Sequence, residues 1–186
     1  MTNLADFTDD ELDPIFDAPG AVLKGATLAD GRPGAFQFLK EMTSGAKVFR
    51  EAQEHENDFV RSVALGMRER IQAQNAAEAE AAANPASQVG VAAAAAATER
   101  AAKEGAKPDP EGETARAVAL SAAAVALLRA RGDEKDAVAY GEWLLRIAGQ
   151  VAGASSTKLG GFFSKRVKVT EGEQAFIDRL TAAVAA

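Results

Sequence analysis

Three features of the sequence predict an all-α fold. Apolar residues recur at three- and four-residue steps in several segments, an S/T-x-x-E capping box sits near each end, and strand-like alternation is nearly absent. Only Arg166-Val167-Lys168-Val169 alternates, and so short a run makes no sheet alone. The reading is one helical bundle over residues 1–186, of about six helices in two halves, joined by an Ala/Pro/Gly connector over 73–112. A chain of 186 residues is long enough for one core of ordinary size. Its residues are 47% apolar but only 6% aromatic, and alanine supplies much of the apolar share, so the core should be built from small, close contacts.

The first start signal is Thr8-Asp9-Asp10-Glu11, a capping box that satisfies otherwise orphaned N-terminal backbone groups. Pro14 follows early enough to be tolerated, whereas Ala18-Pro19-Gly20 predicts a break, with a second short helix running through Leu28 to a stop at Asp30-Gly31-Arg32-Pro33. Phe36, Leu39, Met42, Ala46 and Phe49 then share one helical face, and Phe59, Val63, Met67 and Ile71 share another. The polar stretch from Glu51 to Asn57 between them reads equally as a solvated turn or as an exposed face.

Beyond Gln72 the sequence becomes simple, with an Ala/Glu/Gln tract, Asn84-Pro85, a run of alanines from Ala92 to Ala97, and Lys107-Pro108-Asp109-Pro110-Glu111-Gly112. Alanine favours helix yet buries little area, so this connector is expected to be helical in part and partly mobile. The second half restarts near Glu113, where Val118, Ala122, Val125 and Leu128 predict a helix that stops at Arg131-Gly132. Asp133 is the expected N-cap of the clearest helix, whose stripe is Ala137, Tyr140, Gly141, Leu144, Ile147, Ala148 and Val151. A Gly/Ser loop leads to the second capping box, Thr170-Glu171-Gly172-Glu173, and to a terminal helix carrying Phe176, Ile177, Leu180 and Val184.

Composition narrows the function classes. The chain has no cysteine, which excludes disulfides, thiolate metal sites and a Cys nucleophile and fits a reducing compartment. Met1 to Leu12 is acidic and lacks the basic and apolar regions of a signal peptide. Uncharged stretches such as Pro85–Ala97 and Ala117–Leu128 fall short of the ~20 apolar residues that span a bilayer. A cytoplasmic protein is expected. The net charge of -6 opposes binding to nucleic acid, whose recognition begins with neutralising phosphates.

Catalytic motifs are absent: no G-x-S-x-G elbow and no Walker pattern occurs, so no catalytic residue is assigned and no cofactor is expected. The lone histidine, His55, has Glu51 one turn before it and Asp58 three residues after. On one helix the three could converge as nitrogen and oxygen ligands, although position 52 is Ala where a di-iron Glu-x-x-His would need Glu. The acids Asp6, Asp9, Asp10, Asp13 and Asp17 lack the spacing of a calcium loop and fit the dipole of a helix start. Ser155 to Lys168 is the most unusual stretch, with four bases, no acid and adjacent aromatics. Lys158, Phe162, Phe163, Lys165, Arg166 and Lys168 are its candidate contact residues, for a protein partner, an anion or, with marginal affinity, an anionic membrane surface. The plain alternative has the phenylalanines plugging the end of the bundle.

Two resemblances follow from motifs already quoted. Trp143-Leu144-Leu145-Arg146-Ile147-Ala148-Gly149-Gln150-Val151-Ala152-Gly153-Ala154, then Gly160-Gly161 and Val169-Thr170-Glu171-Gly172-Glu173, resemble a group of small uncharacterised bacterial helical proteins. Their W-L-x-x-[IV]-A-x-x-V-A-x-A helix leads through a Gly-rich turn to a V-[ST]-x-x-E helix start. Phe7-Thr8 before an acidic helix and Ala18-Pro19 after it are similar too, so the likeness covers about the first 50 and last 50 residues. Leu28-Ala29-Asp30-Gly31 is also similar to tellurite-resistance TerB-type helical domains, which implies metal binding through an aspartate-glycine step and a later acid. Arg32-Pro33 departs from that pattern. The expectation is a non-catalytic, stress-associated interaction or assembly protein, working with a protein partner or with itself through helix faces or the 155–168 loop. The alternative is a small-molecule or metal-binding helical protein whose carboxylates converge from different helices.

Overall fold

The computed structural model describes residues 2–31, 46–84, 109–155 and 169–186, together with 88 and 92. Every regular element among them is helical: a 3-10 turn at Leu4–Asp6, then α1 (Asp9–Leu28), α2 (46–52), α3 (Asp58–Ala83), α4 (Pro110–Arg131), α5 (Glu134–Ser155) and α6 (Glu171–Ala185). The predicted all-α bundle is the observed architecture. The chain divides into two compact units, Met1–Ala64 with Asp109–Ala186, and Leu65–Pro108.

Helix α1 begins at the first capping box, where the Glu11 carboxylate accepts the Thr8 backbone N–H at 2.9 Å and its hydroxyl at 3.0 Å. The predicted break at Ala18-Pro19-Gly20 does not occur, because Pro14 and Pro19 both lie inside one continuous helix. Proline at position 19 has no N–H for the carbonyl of Ile15, four residues earlier, and an orphaned buried carbonyl would be costly. The buried Tyr140 hydroxyl of α5 donates to that carbonyl at 2.6 Å. A tertiary hydrogen bond therefore replaces the one that proline removes. The stop at Asp30-Gly31 is as predicted: the Gly31 N–H donates to Leu28 O at 2.8 Å, and its φ of +93° suits glycine.

The polar stretch between α2 and α3 is a turn over 53–57, not one exposed helical face. It ends at Asn57, whose Oδ1 accepts the Val60 N–H at 3.0 Å and so caps α3. Of the α3 stripe, Phe59 and Val63 are buried, Met67 is half-buried and Ile71 is exposed, so only its first half faces a core. Residues 73–83, the start of the expected connector, are helical and almost all exposed. The rest of the connector up to 108, residues 88 and 92 excepted, lies outside the described residues.

Helix α4 starts at Pro110, a turn earlier than the restart expected near Glu113. Proline is well placed in a first turn, where its missing N–H has no intrahelical partner to lose. Its buried face also differs, being Thr114, Ala117, Ser121, Ala124, Val125 and Leu128, while Val118 and Ala122 are half-buried. Thr114 and Ser121 tolerate burial because their hydroxyls donate to the carbonyls of Glu111 (2.9 Å) and Ala117 (2.7 Å) in their own helix. This small face lets α1, whose most extensive contact is with α4, approach closely.

Helix α5 is capped as predicted, with Asp133 Oδ1 accepting the Lys135 N–H at 2.8 Å. Its whole stripe is buried, Tyr140, Leu144, Ile147 and Val151 completely, and Trp143 joins it at 2% exposure. The second capping box opens α6: Glu173 Oε2 accepts the Thr170 N–H at 3.0 Å, and Thr170 Oγ1 accepts the Glu173 N–H at 3.2 Å. Phe176, Leu180 and Val184 are buried, and Ile177 is half-buried.

The first turn of α6 lies against the end of α1. A Cβ on Gly172 would sit 2.5 Å from both the backbone oxygen of Ala29 and Asp30 Oδ1. Gly172→Ala is therefore expected to destabilise the fold by about 1–3 kcal/mol through overpacking, read as a lower midpoint in urea at unchanged slope. No described helix is long and apolar enough to cross a membrane.

Candidate functional site

The three sequence-predicted ligands lie near one another in the chain but are engaged separately. Glu51, near the end of α2, accepts from Arg146 of α5 at 2.6 Å and pairs with Lys47 at 3.6 Å. His55 lies in the turn, where its Nδ1 accepts the Asn57 N–H at 3.1 Å. Asp58 pairs with Arg61. The turn breaks the continuous helix on which the side chains could have converged. Among the described residues, no group of three or more His, Cys, Asp or Glu side chains is placed to hold a metal ion.

The amino-terminal acids are partly met by cations of α4. Arg131 pairs with Glu11, donates to Asp6 O at 3.0 Å and sits 5.5 Å from the centre of the Phe7 ring. Arg116 lies 3.9 Å from Asp17. The Glu11 carboxyl is held below its usual range, first by the Thr8 backbone N–H and then by Arg131.

Sequence reasoning missed a buried polar cluster centred on Asp136. Asp136, only 5% exposed in the first turn of α5, accepts the Thr2 N–H at 2.6 Å and the Asn57 Nδ2–H at 2.8 Å. Thr2 Oγ1 in turn accepts the Asp133 N–H at 2.9 Å. One carboxylate thus ties the start of the described chain and the cap of α3 to α5. Asn57 before Asp58-Phe59-Val60 carries an N-cap signal, but nothing local points to Asp136. Burial pushes the Asp136 carboxyl up, and the donations from Thr2 and Asn57 outweigh it, so the net shift is downward.

That shift fixes the sign of a pH effect. The folded value lies below the ~3.9 of an unfolded aspartate. The stability that Asp136 contributes is then fully present above that pH and is lost as pH falls through the folded value. Asp136→Asn places an amide where two donors need acceptors, and is expected to cost about 1–3 kcal/mol at pH 7. Urea melts between pH 7 and pH 3 check this, because the variant should lose less stability on acidification than the natural chain.

The remaining buried polar groups also serve the fold. The Thr27, Thr114 and Ser121 hydroxyls each donate to a carbonyl of their own helix, so none is presented as a nucleophile. Tyr140 is raised well above its usual value, by burial first and the charge of Asp17 second, and stays a protonated donor. Trp143 packs edge-on against Phe49 at 5.8 Å and Tyr140 at 5.9 Å, and its buried indole N–H has no acceptor among the described residues. Both aromatics belong to the core.

Among the described residues, large apolar side chains left exposed are few. Ile71 is the most exposed large one at 56%, followed by Val138 of α5 and Val169 ahead of α6. Ile71 lies one turn beyond half-buried Met67, on a stretch of α3 where residues 68–76 are all exposed. Lys158, Phe162, Phe163, Lys165, Arg166 and Lys168 lie outside the described residues. The chain matches no family model, no curated protein and no solved structure.

Proposed function

We propose that this chain is a non-catalytic interaction or assembly protein that engages a partner through the outer turns of α3. The observation that carries the reading is Ile71, a large apolar side chain left 56% exposed in line with Met67 on outer turns of α3 whose other residues are polar or small. Covering such a side chain contributes about 1.5–3 kcal/mol to an association, whereas leaving it in water contributes nothing. The commitment of the buried hydroxyls, Tyr140 and Asp136 to structural hydrogen bonds fits a scaffold better than a reaction centre. Glu51, His55 and Asp58 give the metal-binding alternative no support, since each is engaged elsewhere. A cytoplasmic, stress-associated setting remains part of the proposal.

Ile71→Glu tests this without disturbing the core, because a substitution at so exposed a site changes stability by roughly 0.5 kcal/mol or less. Sedimentation of the full chain, alone and with proteins co-purified from its host, should show association weakened roughly tenfold or more. Unchanged association with an unchanged melt would remove α3 from the account.

A further inference from the structure

We draw no further inference here: the strongest candidate, the exposed alanine seam of α4 formed by Ala119, Ala123, Ala126 and Ala130, is a stripe of small residues, and nothing in the structure shows what covers it.

Discussion

Trp143→Ala is expected to destabilise the fold by about 3–5 kcal/mol, the largest effect among the substitutions considered, through lost burial and the cavity left behind. Trp143 is 2% exposed and joins two elements, meeting both Phe49 of α2 and Tyr140 of its own helix α5 edge-on. In a helical bundle with few aromatics, those rings supply much of the volume that alanine cannot. For a chain of this size each kcal/mol corresponds to about 2–4 °C in Tm. Thermal melts of Trp143→Ala beside Val138→Ala, at a site 43% exposed, make the comparison direct. A loss below about 1 kcal/mol for Trp143→Ala would mean that α2 is not held by this cluster.

Tyr140→Phe should be nearly as informative, because it removes one oxygen and leaves the ring. It takes away the donor to the Ile15 carbonyl, which Pro19 cannot serve, at an expected cost of about 1–3 kcal/mol. A second substitution distinguishes this account from a general packing effect. Pro19→Ala returns a backbone N–H to the Ile15 carbonyl, so Tyr140→Phe should cost less in that background. The coupling expected from a double-mutant cycle is about 0.5–3 kcal/mol. Additive losses would show that the tyrosine hydroxyl and the proline act independently and that another group sustains the helix through position 19.

These residues also explain which parts of the fold were legible in the sequence. Both capping boxes were, because their hydrogen bonds close within three residues and depend on little else. The α5 stripe was legible because one face carries almost all of its bulky residues, so period alone identifies the buried side. Continuity of α1 was not, because the bond that rescues it comes from a residue 125 positions away. The buried face of α4 was misread for a subtler reason: pattern reading treats Thr114 and Ser121 as polar, while their hydroxyls are satisfied within the helix.

The candidate site was less legible than the fold. Spacing on an assumed continuous helix placed Glu51, His55 and Asp58 together, and the turn over 53–57 gives each a different partner. The Asp136 cluster joins residues 79 and 134 positions apart, a relation that periodicity does not contain. Exposure of Ile71 was hidden by its good register with Phe59 and Val63. Periodicity assigns a face to a residue, but not whether a neighbour covers that face.

Native mass spectrometry of the full chain, purified from its host without chelator and compared with Ile71→Glu, tests the central claim most directly. The interaction reading predicts a discrete homo-oligomer or a co-purifying protein that the substitution releases, with no stoichiometric small adduct. A monomer carrying a stoichiometric metal ion or small molecule, unchanged by Ile71→Glu, would contradict it.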